Sequence, residues 1–210
     1  PSAFISSTFV DLKEDRQIVA DTLRARQINV NALDELPASN GSSRERIMNG
    51  IDQSDFVILI VGDRYGSILP KMTRNHRLSI THWEYKIAKS RKKPIIVYFK
   101  NDVSNDPKST DDRDSDFDRK RELFKEFKKE ITENHNPAYY TIDELASKVD
   151  AALIHTYREG VIEVTKKLEK TQQQFSELQD RINELEKQIR KPRILSAYNE
   201  QAQSVIEAQE

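Results

Sequence analysis

Short apolar runs alternate with amphipathic segments over residues 1–158, a pattern that predicts strands alternating with helices. The most hydrophobic run, 55–62, lacks the polar alternation of a half-exposed strand, so we expect it at the centre of a sheet, covered on both faces. Strands connected through helices predict a mostly parallel sheet that is doubly wound, and five such strands resemble the flavodoxin-like order. The predicted strands are 3–6, 28–33, 55–62, 94–99 and 138–140.

The segments between these strands place their apolar residues on one face, as amphipathic helices do. Thr81 is the expected N-cap of the third of them, and Asp15 and Arg16 are expected to face solvent on the first. A further helix begins near Thr141, where Glu144 completes a capping-box pattern. The predicted helices are 10–26, 44–53, 82–91 and 116–134, and the predicted long loops are 63–80 and 101–115.

From Val161 the apolar spacing changes to a heptad repeat that continues for about four heptads, which predicts a coiled coil. The first seam position holds Val161, Leu168, Phe175, Ile182 and Ile189, and the second holds Val164, Thr171, Leu178 and Leu185. Ile or Val at the first position with Leu at the second favours parallel two-stranded coils. We expect self-association rather than a helix folded back on its own domain, because the seam is narrow and its flanks are charged. Phe175 fits a dimer seam poorly, so a higher oligomer stays open.

The chain thus divides into an α/β domain over 1–158, a coiled-coil helix over 159–190 and a helical tail over 191–210 that could begin a further segment. Pro192 predicts a break or kink at the start of the tail. Since the sequence starts at Pro1 and ends at Glu210 in a helix-like stretch, we expect it to be part of a longer protein.

Composition narrows the function classes. Charged residues make up 33% of the 210, above the usual quarter, which fits a solvated helix. With 34 basic and 35 acidic side chains, no overall field attracts nucleic acid or an anionic membrane. The absence of cysteine excludes disulfides, thiolate catalysis and cysteine metal sites, and the four histidines form no metal-ligand pattern. No apolar run approaches the roughly 20 residues that span a bilayer, and no signal-peptide pattern occurs, so we expect a cytoplasmic protein.

Candidate chemistry lies where three segments should meet. In a doubly wound sheet, ligands bind beyond the carboxyl ends of the strands where the strand order reverses, here between strands one and three. Glu84 opens a helix near the same edge, and we expect its carboxylate to face an open, nucleotide-sized hollow. The candidate ligand-binding residues are Ser6, Ser7, Thr8 and Phe9 after strand one, Asp63, Arg64, Tyr65 and Gly66 after strand three, and Trp83 beside Glu84.

Three motifs in this order carry a family resemblance. Residues 4–12 read FISSTFVDL, 51–60 read IDQSDFVILI, and 79–88 read SITHWEYKIA. They resemble the TIR superfamily and, within it, the TIR-like domain of unknown function 4062, which often precedes STAND-type NTPases in defence and signalling proteins. The residues at 34–37 depart from the usual TIR motif after strand two, so the loop that shapes the nucleotide site differs.

The resemblance implies an NAD glycohydrolase with Glu84 as the catalytic carboxylate, active when oligomerised. Cleavage expels neutral nicotinamide through an oxocarbenium-like state, which one carboxylate can stabilise. Ser6, Ser7, Arg64 and the amides near Gly66 would hold phosphates, and Tyr65 or Trp83 would stack on a base. NAD enters as a possible substrate, and no cofactor or metal is implied. The expected partners are a second copy and an NTPase, sensor domain or other protein.

Each of these roles has a structural alternative. A glutamate in a first helical turn suits the helix dipole, and Trp83 could be core packing. Ser6 and Ser7 could cap the first helix, while Arg64 could pair with a carboxylate such as Asp63. Two other functions therefore stay open: a non-catalytic TIR-like interaction module, and base exchange of the nucleoside deoxyribosyltransferase kind.

Overall fold

The computed structural model describes residues 1–8, 11–31, 42–101 and 116–207, with the backbone alone described at 190–197 and 203–207. Within these residues, five strands form one all-parallel sheet in the order β2-β1-β3-β4-β5. The strands are β1 (Ser2–Ser7), β2 (Asn29–Asn31), β3 (Phe56–Val61), β4 (Ile95–Lys100) and β5 (Ala138–Tyr140). The predicted α/β class and strand order are confirmed.

Helices cover both faces of this sheet and differ from the predicted ones mainly at their ends. The segment predicted as the loop 63–80 contains a short helix with Pro70 at its first position, where the missing N–H of proline costs nothing. The helices are α1 (Lys13–Ala25), α2 (Ser43–Gln53), α3 (Pro70–Thr73), α4 (Ile80–Ser90), α5 (Phe117–Asn134) and α6 (Leu145–Glu207), with a 3-10 turn over Ile142–Glu144 before α6.

The caps show where local sequence decides a helix start. Ser79, not Thr81, caps α4: its backbone is extended and its Oγ accepts a hydrogen bond from the His82 amide at 3.2 Å. The capping box of Thr141 and Glu144 is present, and it opens the 3-10 turn that leads into α6. Helix α1 begins at Lys13 with no side-chain cap, so the first strand and the first helix are joined by a longer segment than the pattern predicts.

The strands are buried because helices pack on each side. Every residue of β3 is buried, as the unbroken apolar run predicted. Its alternate side chains Ile58 and Ile60 pack with α1 and the first turns of α6. On the opposite face, Val57 packs against α2 and α4, while Leu59 packs with residues of α5. The central position of this strand therefore follows from its lack of a polar face.

The chain forms two compact units, Pro1–Ile154 and His155–Glu210. Helix α6 continues without interruption through Lys191 and Pro192, so the predicted break at Pro192 is wrong, while the alternative of a kink stays a prediction. None of the described helices combines the length and apolar character that crossing a membrane needs.

A buried carboxylate ties α1 to the far edge of the sheet. Asp15 is 1% exposed, which corrects its predicted solvent position. It accepts hydrogen bonds from the Tyr140 hydroxyl at 2.6 Å and from Lys100 Nζ at 3.0 Å. Both donors come from strand ends, so one side chain of α1 joins the ends of β4 and β5.

Tyr140→Phe tests this connection. It removes one donor from a buried carboxylate, so we expect the free energy of unfolding to fall by about 1–3 kcal/mol. Tyr139→Phe is the matched control, because Tyr139 is 57% exposed and its hydroxyl has no such role. Urea unfolding of both variants measures the difference, and equal losses would contradict the importance of the Asp15 contact.

Candidate functional site

The parallel pairing of β1 with β3 places their carboxyl ends at one edge of the sheet. The register runs from Ala3 opposite Phe56 to Ser7 opposite Ile60. The chain leaving β3 then passes between the end of β1 and the start of α4. A Cβ on Gly66, whose φ of 90° favours glycine, would lie 3.0 Å from Thr8 Cγ2 and 3.7 Å from Ser79 Cβ. The structure thus brings the three predicted segments together.

Glu84 lies at this junction, but its carboxyl group is enclosed. The Ser6 hydroxyl donates a hydrogen bond of 2.6 Å to Glu84 Oε2. Ser6 is fully buried and Glu84 is 4% exposed. The position beside the end of β1 agrees with the expectation, whereas the expected open hollow does not. Any ligand must therefore displace part of this enclosure before it contacts the carboxylate.

Burial sets the acidity of Glu84. Loss of solvation raises the pKa of its carboxyl group to about 7, while the Ser6 hydrogen bond and the charge of Arg16 act in the opposite direction. Arg16 is 8% exposed and donates from Nη1 to Ser7 Oγ at 2.9 Å. A carboxyl group with this pKa exchanges protons near neutral pH, which is the condition for general acid–base chemistry.

Several buried polar atoms at the same edge have no hydrogen-bond partner among the described residues. They are Thr8 Oγ1, both carboxylate oxygens of Asp11, and Asp63 Oδ1. The Asp11 carboxylate lies beside the end of β3, since its Oδ2 would be 2.9 Å from a Cβ on Gly62. Buried polar atoms are normally paired, so this edge has hydrogen-bonding capacity that water or a ligand's hydroxyl groups could use.

The two aromatic candidates are core residues. Tyr65 is 2% exposed, and its hydroxyl donates to the Arg77 carbonyl oxygen at 2.6 Å and lies 2.8 Å from His82 Nδ1. Trp83 is 4% exposed, with the Arg44 guanidinium carbon 4.8 Å above the centre of its ring. The proposed stacking on a base is thus corrected for both rings, because neither has an accessible face in this arrangement.

The remaining candidate residues are hydrogen-bonded, half-buried or outside the described part of the chain. Ser7 bonds Arg16 and Ser6 bonds Glu84, so neither caps α1. Asp63 and Arg64 are half-buried after β3. Phe9 and the stretch 34–37 lie outside the described residues. Among the residues that are described, no group of three or more histidine or carboxylate side chains could hold a metal ion.

Sequence reasoning missed Arg16, which was placed in solvent. A signal was available: Arg16 follows Leu12 by four residues and precedes Val19 by three, so it shares the apolar face of α1. A charged residue on such a face must find a buried partner, and Ser7 supplies one.

Comparison with known proteins gives the family. Residues 2–154 match the model of the family described as Domain of unknown function (DUF4062). The chain belongs to the DUF4062 family. The resemblance of the sequence motifs to this family is confirmed. This DUF4062 chain is also similar to the TIR domains in the structure of the activated Roq1 resistosome directly recognizing the pathogen effector XopQ. The identity is 15% and the TM-score 0.46, over 72% of this chain and 98% of that one. No curated protein matches the chain.

Glu84→Gln tests the electrostatics of the site, because it removes the titrating group and keeps its size. The unfolded chain releases the Glu84 proton near pH 4.5 and the folded chain near pH 7, so the folded state holds the extra proton between these values. Relative to Glu84→Gln, the unsubstituted chain should lose roughly 3 kcal/mol of unfolding free energy as the pH rises from 4.5 to 7. Above pH 7 the difference should stay level.

Urea unfolding of both proteins at several pH values measures this difference, and the other titrating groups largely cancel. A difference that does not vary with pH would contradict the burial of an ionisable carboxyl group at this position.

Proposed function

We propose that this DUF4062 chain is a TIR-like effector domain that cleaves the N-glycosidic bond of NAD or a related nucleotide when copies assemble. Glu84 is the catalytic carboxylate. The observation that carries the proposal is the enclosed Glu84 carboxyl group, bonded to Ser6 at the end of β1, with its pKa raised to about 7. Such perturbed groups are concentrated at functional sites.

The reaction needs few groups. The bond from C1′ of the ribose to nicotinamide breaks, and its electron pair neutralises the pyridinium nitrogen, so the leaving base needs no proton. Water adds to C1′ and releases one proton. Ionised Glu84 would stabilise the cationic sugar or accept that proton, as carboxylates do in glycosidases. The products are nicotinamide, ADP-ribose and a proton.

The polar atoms at this edge of the sheet support a sugar ligand. The oxygens of Thr8, Asp11 and Asp63 that have no partner among the described residues match the donors that ribose hydroxyl groups offer. Ser7, Arg64 and the backbone near Gly66 would contact the phosphates. With Tyr65 and Trp83 buried, the base would bind against other groups.

Enclosure of Glu84 makes the single chain a resting form. Catalysis requires the junction of β1, the β3–α3 segment and α4 to open, and assembly supplies the free energy for that change. Self-association through the heptad face of α6 is the proposed route to assembly. This arrangement would keep NAD intact until enough copies meet.

A non-catalytic interaction module is the second candidate. The observation that favours it is the same enclosure, because a carboxylate that is 4% exposed and bonded to Ser6 also fits a structural role. In that case the domain signals by contact alone, and Glu84 serves to join α4 to β1.

Incubation with NAD, ATP and nucleosides, at low and high protein concentration, tests the first candidate. We expect NAD consumption that rises more steeply than protein concentration, and a loss of at least about 100-fold in Glu84→Gln and Glu84→Ala. Glu133→Gln is the matched control, because that side chain is 61% exposed on α5. Product identification separates hydrolysis from base exchange.

Circular dichroism must show that the Glu84 variants remain folded. Full activity in both variants would eliminate Glu84 as the catalyst. Intact assembly with no turnover of any nucleotide would leave the interaction module as the function.

A further inference from the structure

An apolar stripe follows α6 through the second unit. Eight of the nine seam positions between Val161 and Ile189 are hydrophobic, and each of those side chains is 44–68% exposed. The buried clusters among the described residues include no side chain beyond Leu153. A helix that carries such a stripe gains most of its stability in water when the stripe packs against another surface.

The charges beside the stripe fit a second copy of the chain. In a parallel, in-register coil, side chains beside the seam pair across the two copies. The residue just before a first seam position faces, in the other copy, the residue just after the second seam position that follows. Arg181 therefore faces Glu186 of the second copy, and symmetry repeats the pair. The other pairs on this pattern are Lys167 with Gln172 and Gln174 with Gln179, so no like charges meet.

The opposite orientation lacks this complementarity. An antiparallel coil sets the positions of Lys167, Gln174, Arg181 and Gln188 against each other, and these are neutral or positive. The seam composition points the same way, since β-branched residues at the first position with Leu at the second favour two parallel strands. Leu168 and Phe175 depart from that pattern.

We propose that residues 161–189 pair with a second copy of this chain as a parallel, in-register, two-stranded coiled coil. The proposal rests on the self-association part of the proposed function and does not depend on Glu84. It fixes the stoichiometry at two, and it places the same residue of each copy face to face along the seam.

The cysteine-free chain permits a direct test. Val164→Cys and Leu185→Cys are near the two ends of the seam, and each should form a disulfide with its own counterpart because the side chains face each other within bonding reach. Lys166→Cys and Lys187→Cys, on the opposite side of the helix, are matched controls and should cross-link at least about 10-fold more slowly. Light scattering of the full chain should give the mass of two copies.

Each alternative result has a defined meaning. A dimer in which neither seam cysteine reacts with its counterpart would overturn the parallel register and keep self-association. A mass of one copy would overturn both, and a mass of three would overturn the two-stranded state. NAD turnover is measured separately. Its absence in a cross-linked dimer would contradict the proposed catalysis by Glu84 and would leave the coiled coil unaffected.

Charge reversal tests the pairing of Arg181 with Glu186. Arg181→Glu alone and Glu186→Arg alone each place like charges across the seam twice, so each should raise the dissociation constant about 10-fold. An equal mixture of the two variants should regain the original affinity as a mixed dimer. Lys187→Glu and Glu169→Arg are controls off the seam, and failure of the mixture to recover would overturn the proposed pairing.

Discussion

The parallel pairing of β1 with β3 determines where chemistry can occur in this fold. The register that sets Ser7 opposite Ile60 also fixes which way each residue of β1 points. Phe4 and Ser6 face α2 and α4, whereas Ile5 and Ser7 face α1. Two adjacent serines therefore meet groups of opposite charge: Ser6 donates to Glu84, and Ser7 accepts from Arg16. The sheet lies between Glu84 and Arg16, but the charges of these two residues still interact.

Ser6 and Ser7 can make these buried polar contacts because the apolar part of each strand ends just before the edge of the sheet. Phe56–Val61 is hydrophobic throughout, and Gly62 and Asp63 follow at once. Gly62 has close neighbours here, since a Cβ would lie 2.9 Å from Asp11 Oδ2 and from the Leu12 side chain, and these side chains would have to shift. The junction is thus both crowded and polar, and several of its buried oxygens have no partner in the described part of the chain. An edge of this kind is costly for stability, and such costs are typical of functional sites.

The sequence predicts the sheet well because each strand is a local apolar run, while the site depends on distant contacts. Asp15 was placed in solvent because its partner Tyr140 is 125 residues away. The cap of α4 was wrongly predicted at Thr81. Ser79 and Thr81 both carry a hydroxyl group that can cap a helix, and only the extended backbone at Ser79 distinguishes them. Tyr65 and Trp83 were assigned to a ligand because aromatic residues near a sheet edge fit both roles. In the structure both are core residues, because Tyr65 packs with residues of α5 and Trp83 packs with residues of α2.

The enclosed carboxyl group couples ligand charge to opening under the proposed function. Burial disfavours ionised Glu84, so water or a cation entering the site must lower its pKa and favour the carboxylate. The oxidised nicotinamide ring is such a cation, and by linkage its binding and Glu84 ionisation support each other. A neutral ligand gains no such support, so the closed junction would discriminate by charge before any base is recognised. The spare oxygens at Asp11 and Asp63 have the same preference for positive or hydrogen-donating groups.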